Sequence, residues 1–312
     1  MVPSLDISND VEVTSMESTN LTCLPISYEP QDNYGHISGL VNGAFTVCGG
    51  YVDIGDYWSQ DCYKYEDYSF KKLSSEFSLN QGVSFAAYAQ WQGQDQRILL
   101  AGGWKDSHVE TDLIQIVGEP GTWTMPKTLT QSCMVHLFDD TYMLIGGITS
   151  NQRSNMTFLF RPITNGNNLE LDWTEGPRLK NARNQNMCAI LERNSRRYIV
   201  TVGGYVDTCE YLELFANNTW SSNWENCAPI PFPLARGEMI TDPESGDLLL
   251  LGGYDQNESK FQDTIYRLVD VQRNWQLQLQ HLTEARADHV SMFLPDSLLP
   301  CSMNTKIERI EL

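Results

Sequence analysis

The sequence predicts an all-β protein that folds as one closed propeller of six blades. Two observations carry this prediction. Five Gly-Gly pairs each follow a short apolar run directly, and an aromatic residue trails each pair by 20 to 26 residues. The pairs begin at Gly49, Gly102, Gly146, Gly203 and Gly252, so successive pairs are 53, 44, 57 and 49 residues apart. A period near ~50 residues is typical of propellers in which each repeat forms one four-stranded blade.

Each repeat has the sequence pattern of four short strands. Val83–Tyr88 is an example of a first strand, and the run from Asp112 to Val117 is an example of a third. The trailing aromatics fall on the fourth strand: Phe70, Trp123, Trp173, Trp224 and Trp275. We expect the glycines to permit close backbone approach near the crowded axis, and the aromatics to pack one blade on the next. A lone blade cannot bury both faces, so the blades must stack into a ring.

The two chain ends together supply a sixth repeat. Residues 283–312 contain three strand-like runs, with Cys301-Ser302 at the position of the glycine pair. The run from Asn20 to Ser27 matches the run from Trp224 to Pro231 at the end of the fourth repeat, so Val11–Pro25 is predicted to be the missing outer strand. The expected blades span residues 33–79, 80–128, 129–180, 181–232, 233–282, and 283–312 plus 8–27.

This order of apolar strand, Gly-Gly, strand and aromatic resembles the kelch family across nearly the whole chain. The resemblance implies a single domain, 1–312, that forms a six-bladed kelch-type β-propeller. It also implies that the sixth blade is closed by the N-terminal strand plus the C-terminal strands, which hides the sheet edges. In kelch repeats a histidine often opens the first strand and caps local hydrogen bonds, and His36 and His289 hold that position here.

Charge and apolar runs exclude several classes of function. The chain has 21 basic and 40 acidic residues, a net charge of −19, so it repels phosphate backbones and nucleic-acid binding is not expected. No apolar run approaches the ~18 residues of a membrane helix. The first twenty residues lack the apolar core of a signal peptide, so we expect a mature secreted chain or an ectodomain fragment, with a cytosolic origin as the alternative.

The cysteines and sequons favour an extracellular protein. Repeat phase predicts four disulfides from the eight cysteines: Cys48–Cys62, Cys209–Cys227, Cys133–Cys188 and Cys23–Cys301. Free buried thiols are the alternative, as in a cytosolic protein. The Asn-x-Ser/Thr sequons predict glycosylation at Asn20, Asn155, Asn217 and Asn257.

Acidic residues cluster in the loops after the glycine pairs. Asp53, Asp56, Asp106 and Asp255, together with His108, are therefore candidate binding-face residues for a cation or a basic peptide. Solvated loop charge is the alternative reading. No zinc spacing, phosphate loop, dinucleotide fingerprint or nucleophile elbow is present, so we expect no catalytic residue, metal or cofactor.

These observations favour a binding role over catalysis. We expect a secreted or ectodomain glycoprotein module that binds a protein partner, in adhesion or as a subunit of a larger extracellular assembly. A secreted carbohydrate-active or oxidase-like enzyme with a site on the axial face is one alternative. A cytosolic kelch adaptor is the other.

Overall fold

The protein is an all-β propeller. The computed structural model describes residues 12–14, 33–66, 69–91, 95–106, 108–165, 168–294 and 308–311. Helical structure in these residues is limited to two 3₁₀ turns, Asp53–Gly55 and Ser75–Phe77. Within the described residues no helix has both the length and the apolar composition needed to cross a bilayer.

Each of five blades contains four antiparallel strands that pair in chain order, and in blade 5 the short strands Leu234–Ala235 and Tyr254–Asp255 extend the sheet to six strands. Blade 1 comprises Ile37–Val41, Ala44–Cys48, Cys62–Glu66 and Ser69–Lys72. Blade 2 comprises Ala87–Trp91, Arg97–Ala101, Leu113–Ile116 and Trp123–Thr124. Blade 3 comprises Cys133–Phe138, Thr141–Ile145, Thr157–Asn165 and Asn168–Glu175. Blade 4 comprises Asn186–Arg193, Arg196–Gly203, Cys209–Leu214 and Glu225–Cys227. Blade 5 comprises Glu238–Thr241, Leu248–Leu251, Lys260–Leu268 and Gln276–Arg286.

Short strands that follow the glycine pairs, or that pair with such strands, lie together on one face of the propeller. They are Asn33–Tyr34, Tyr51–Val52, Tyr57–Trp58, Trp104–Lys105, Val109–Glu110, Ile148–Thr149, Gln152–Arg153, Leu234–Ala235 and Tyr254–Asp255. Because adjacent strands of a blade are antiparallel, loops between second and third strands share this face. The hairpins between first and second strands lie on the opposite face.

The structure has five four-stranded blades where the sequence predicted six. Both chain ends nevertheless meet in one further sheet, in which Glu12–Thr14 pairs with Glu308–Glu311 and the latter pairs with Ser291–Leu294. The expected second strand of this unit, around Cys301-Ser302, lies outside the described residues. Most of the N-terminal segment 8–27 does too.

The hydrophobic core lies between blades. One cluster joins Ile37 and Val41 of blade 1 to Ile98 and Leu100 of blade 2. Further clusters join blades 2 and 3, blades 3 and 4, and blades 4 and 5, and Phe293 packs on the outer side of blade 5. Four of the predicted aromatics contribute to these clusters: Trp123, Trp173, Trp224 and Trp275. Their burial between neighbouring sheets is how each blade covers a face that it cannot cover alone.

The second glycine of every pair makes the same hydrogen bond to the next blade. Its N–H donates to a carbonyl in the segment that enters the following blade, over 2.8 Å in each of the five cases. The five bonds are Gly50 to Val83, Gly103 to Leu129, Gly147 to Arg183, Gly204 to Leu234, and Gly253 to Arg286. We call this repeated contact the glycine latch. It ties each blade to its successor through main-chain atoms.

The first glycine of each pair makes room for the same carbonyl. A Cβ on Gly102 would lie 1.9 Å from the Leu129 oxygen, and one on Gly203 would lie 2.4 Å from the Leu234 oxygen. Both glycines also have a φ in the left-handed region, +69° and +66°. A side chain at either position would therefore meet a steric clash as well as backbone strain. From the sequence we predicted that the backbone would approach these glycines closely at the propeller axis. In the structure the approaching atom is a carbonyl oxygen at the entrance of the neighbouring blade.

A buried ion pair reinforces the junction of blades 3 and 4. The Arg183 guanidinium and the Glu210 carboxylate are both fully buried, and their atoms lie 2.6 Å apart. Arg183 also donates to the carbonyls of Gly203 and Thr208, while Glu210 accepts from the backbone N–H of Lys180. Buried charges are tolerated only with such dense hydrogen bonding, so this network fixes the chain as it enters blade 4.

Three disulfides join described cysteines, and they have the pairings that repeat phase predicted. Cys48–Cys62 and Cys209–Cys227 each link adjacent strands within one blade, whereas Cys133–Cys188 links the first strands of blades 3 and 4. No cysteine of the described residues is free. Cys23 and Cys301 lie outside the described residues.

Replacing Gly102 by alanine is expected to lower the free energy of unfolding by about 3 kcal/mol, because strain and overpacking add. Gly43 is a matched control, since its φ is also positive (+79°) but the nearest atom to an added Cβ is 3.9 Å away. Gly43→Ala should cost only the backbone strain, about 1 kcal/mol. Urea unfolding curves of both variants measure the difference. Equal losses would show that the latch carbonyl does not restrict Gly102.

Candidate functional site

Two residues beyond each of the five latch carbonyls, the chain reaches the propeller axis in a repeated conformation. These positions are Phe85, Gln131, Gln185, Arg236 and Asp288; Gly35, before blade 1, is the sixth, and every one of the six has a φ between +52° and +67°. From Phe85 onward, each of these residues donates its N–H to the carbonyl of the preceding one over 2.7–3.1 Å. We call this row the axial belt. Its backbone is fixed by these bonds, so its side chains are free to differ from blade to blade.

The polar side chains of the belt are held by specific partners. Arg236 donates from Nε to Asp288 Oδ2 over 2.8 Å, and a second guanidinium nitrogen contacts the same oxygen. The side chain of Asp288 is 5% exposed and that of Arg236 is 22% exposed, so the pair faces limited solvent. Gln185 accepts a hydrogen bond from the hydroxyl of Tyr205. The belt thus presents fixed donors and acceptors at the centre of one face.

Aromatic residues surround the belt on the face of the glycine loops. The residue after each glycine pair lies there: Tyr51, Trp104, Ile148, Tyr205 and Tyr254. We call these five residues the rim. Phe85 of the belt packs on Trp104 with ring centroids 5.4 Å apart, and Tyr34 bridges Phe85 and Tyr51 at 5.9 and 5.3 Å. Arg153 stacks over Tyr205 at 4.9 Å. Such amphipathic, preorganised side chains are typical of binding surfaces.

Behind the belt lies an axial cavity of about 150 Å³, lined by the first strands of the blades. Across it, the Tyr88 hydroxyl of blade 2 donates to Glu238 Oε1 of blade 5 over 3.3 Å. Burial raises the pKa of Glu238 to about 8, although the hydrogen bond from Tyr88 acts in the opposite direction. Burial and the neighbouring Glu238 also raise the pKa of Tyr88 well above its usual value. Near neutral pH both groups are therefore mostly protonated.

Two histidines line the same cavity in neutral form. Burial lowers the pKa of His36 to about 4 and, with the nearby charge of Arg286, that of His289 to about 3. Within the described residues neither ring nitrogen of either histidine has a hydrogen-bond partner, and neither does Ser132 Oγ. The kelch resemblance implied that His36 and His289 cap local hydrogen bonds, but among the described residues neither side chain makes such a hydrogen bond. Buried polar atoms of this kind are usually paired, so the cavity is suited to ordered water or to a small polar molecule.

The sequence-predicted acidic residues separate into two groups. Asp53 is exposed in a 3₁₀ turn, and Asp56 accepts a 2.7 Å hydrogen bond from the Tyr51 hydroxyl, which raises the pKa of that tyrosine to about 12. Asp106 is exposed beside the rim. Asp255, by contrast, is 3% exposed and accepts from the backbone N–H of Asn257 over 2.8 Å, so it stabilises its own turn.

His108 is brought into the rim by its hairpin. Its ring centroid lies 5.8 Å from Tyr51, 5.4 Å from Trp58 and 5.4 Å from Trp104. The side chain is nevertheless exposed, so it belongs to the surface. Of the predicted binding-face residues, His108, Asp53, Asp56 and Asp106 thus lie around one aromatic cluster. In the described residues no group of three histidines, cysteines or acidic residues is arranged to hold a metal ion.

The sequons differ in exposure. Asn217 and Asn257 are exposed, and Thr219 donates its hydroxyl to Asn217 Oδ1 over 2.6 Å. Asn155 is half-buried and donates from Nδ2 to the Leu179 carbonyl. Asn20 lies outside the described residues.

Sequence reasoning missed the axial belt and the Tyr88–Glu238 contact. The six belt residues belong to five residue types, so no single residue type marks the position in the sequence. Their only signal is a spacing of 46 to 54 residues, in phase with the glycine pairs. The Tyr88–Glu238 contact joins residues 150 positions apart, and only the arrangement of the blades around a common axis brings them together.

A solved structure named YjhT is similar to this chain. The two superpose with a TM-score of 0.65 over 86% of this chain and 91% of that chain, at 13% sequence identity. The chain is a β-propeller. At this identity the likeness shows the fold alone. No family model matches the sequence, and no curated protein matches it.

The Glu238 carboxyl is expected to make stability fall as pH rises. Its folded-state pKa of about 8 lies above the ordinary 4.5, so the unfolded chain ionises first between those values. Glu238→Gln removes this titration and keeps an acceptor for Tyr88. The variant should gain about 2 kcal/mol of stability relative to the wild type between pH 5 and pH 8.

Urea unfolding of both proteins at pH 5, 6.5 and 8 measures this gain. The two buried histidines act in the opposite sense, since their lowered pKa values cost stability as pH falls below 6.5. Their effect is common to both proteins and cancels in the difference. A difference that stays constant with pH would contradict the protonated state of Glu238.

Proposed function

We propose that the protein is a non-enzymatic extracellular binding module, which binds a protein partner through the face that carries the rim and the axial belt. The aromatic rim is the observation that carries this proposal. Four of the five rim residues are aromatic, and none of the five belongs to the hydrophobic clusters described between blades. Tyr51 is buried, whereas Trp104, Tyr205 and Tyr254 are partly exposed. Tyrosine, tryptophan and arginine together are enriched where binding energy concentrates.

We further propose that the ring contains six kelch-type blades, the sixth closed by both chain ends. Support comes from the sheet that joins Glu12–Thr14, Glu308–Glu311 and Ser291–Leu294. The axial belt also has six members, and its last, Asp288, directly precedes this unit. A closed ring leaves no sheet edge open, which suits a stable extracellular domain.

The disulfides support a secreted or ectodomain protein. Each described cysteine is paired, and disulfides persist in oxidising compartments. Glycosylation at the exposed Asn217 and Asn257 belongs to the same proposal. A secreted glycoprotein with one preorganised face fits a role in adhesion, or as a subunit of a larger extracellular assembly. The disulfides count against the alternative of a cytosolic adaptor.

An enzyme with a site on the axial face is the second candidate. The observation that favours it is the protonated Glu238 beside Tyr88, in a cavity that also holds two neutral imidazoles. A carboxyl with a pKa of about 8 can donate and accept protons near neutral pH. We rank it below binding because the cavity has room for only a small molecule, whereas the rim is broad.

Partner capture is expected to depend on the rim. Arg153→Ala removes an exposed guanidinium that stacks on Tyr205 of the rim. This change should reduce the recovery of a specific partner from native extracellular fluid about tenfold. Arg196 is the matched control, because it stacks over Tyr198 at 5.4 Å in a hairpin on the opposite face.

Quantitative mass spectrometry of proteins retained by immobilised wild type, Arg153→Ala and Arg196→Ala gives the measurement. We expect Arg196→Ala to retain the partner at the wild-type level. Reduced recovery of the partner by Arg196→Ala, or equal recovery by all three proteins, would contradict the proposal.

A further inference from the structure

A second concave feature lies at the outer edge of the rim, between blades 1 and 2. It is a groove of about 410 Å³. One side is formed by the hairpin strand Tyr57–Trp58 and by the segment 59–61 that follows it. The other side is formed by residues 80–82, which enter blade 2, and by Asp106 of the next hairpin. The groove is separate from the axial cavity.

Two aromatic rings form its apolar wall. Tyr57 is 48% exposed, which is unusual for so large a side chain. Trp58 donates from its indole Nε1 to Ser84 Oγ over 3.1 Å, and His108 packs against the same ring at nearly a right angle. The indole is therefore held in place by contacts on the rim side. A preformed aromatic wall of this kind suits a flat or cationic group.

The polar side chains of the groove mainly present acceptors. The side-chain amide of Gln60 donates a hydrogen bond to the backbone carbonyl of Asn80 over 3.1 Å. The side-chain amide of Asn80 donates hydrogen bonds to the backbone carbonyls of Glu119 and Gly121, over 3.0 and 3.1 Å. These donors are satisfied inside the protein, and the amide oxygens remain as acceptors. The carboxylates of Asp61 and Asp106 add two acidic groups.

The charge balance of the groove is negative. Asp61 forms one ion pair, from Oδ2 to Lys72 Nζ at 2.6 Å, with the two side chains 32% and 57% exposed. An exposed pair of this type contributes little, so an incoming cation can compete for the carboxylate. Asp106 is exposed, and the whole chain carries a net charge of −19. A cationic group is therefore favoured both locally and at long range.

We propose that this groove binds an arginine side chain of the protein partner, with the guanidinium between the aromatic wall and the carboxylates of Asp61 and Asp106. The proposal rests on the proposed binding function. A guanidinium is planar, donates five hydrogen bonds and accepts none, which matches a wall of aromatic rings and a set of acceptors. A lysine ammonium lacks the flat surface needed to stack on Trp58.

The test uses short capped peptides that differ at one position. Acetyl-Gly-Arg-Gly-amide is compared with its lysine counterpart and with its citrulline counterpart, which has nearly the same shape but no charge. Titration is followed by the indole N–H signal of Trp58 in two-dimensional NMR, on the full chain with its disulfides intact. We expect the arginine peptide to move this signal and to bind about tenfold more tightly than the citrulline peptide.

Asp106→Asn should weaken arginine-peptide binding about tenfold, because it removes an exposed carboxylate without changing shape. The control is Asp172→Asn, since Asp172 is 59% exposed and paired with Arg161 on the outer strand of blade 3. This control should bind like the wild type. Equal binding of arginine and citrulline peptides, equal binding of the lysine peptide, or no effect of Asp106→Asn would each overturn the assignment. Partner capture that depends on Arg153 but not on Asp106 would reject the groove while leaving the binding function intact.

Discussion

The fold depends on one repeated main-chain contact, the glycine latch. In each of the five cases the second glycine donates its N–H to a carbonyl of the next blade, and the first glycine leaves the space that this carbonyl occupies. No residue with a Cβ meets both requirements at Gly102, where the space is less than a van der Waals contact. The spacing of blades is thereby set by backbone atoms. The hydrophobic clusters then fill the gap between sheets whose separation is already fixed, and the trailing tryptophans supply much of that volume.

The latch also explains how a site can vary on a constant scaffold. Belt residues lie two residues beyond the latch carbonyls, and the hydrogen bonds that join one belt residue to the next use main-chain N–H and C=O groups. Phe85, Gln131 and Arg236 can therefore occupy equivalent positions with different chemistry. Apart from the buried Tyr51, the residues after the glycine pairs are half-buried, and they lie outside the clusters between blades; these positions form the aromatic rim. Binding groups on rigid backbone positions lose little conformational entropy when a ligand binds, which is the usual basis of a preorganised site.

The sequence predicted the parts of the fold that repeat in residue type. Glycine pairs, trailing aromatics and cysteines recur in phase, so the blades and three disulfide pairings could be predicted from spacing. The predicted location of the close backbone approach, at the propeller axis, was wrong, because a sequence does not show which neighbouring atom approaches Gly102. The belt was missed because Gln131 and Asp288 share conformation and not chemistry. Asp255 looks like a rim acid in the sequence, yet its carboxylate closes its own turn. The sixth unit rests on backbone pairing of the chain ends, and its expected Cys23–Cys301 bridge stays a prediction.

The most direct test of this account is native-state hydrogen exchange at the second glycine of each pair. If the latch holds the ring together, the amides of Gly50, Gly103, Gly147, Gly204 and Gly253 can exchange only when the propeller unfolds globally. Their opening free energies should then match the free energy of unfolding from urea denaturation, to within about 1 kcal/mol. Exchange of these amides through local openings several kcal/mol below that value, while central strand amides remain protected, would contradict the central role of the latch.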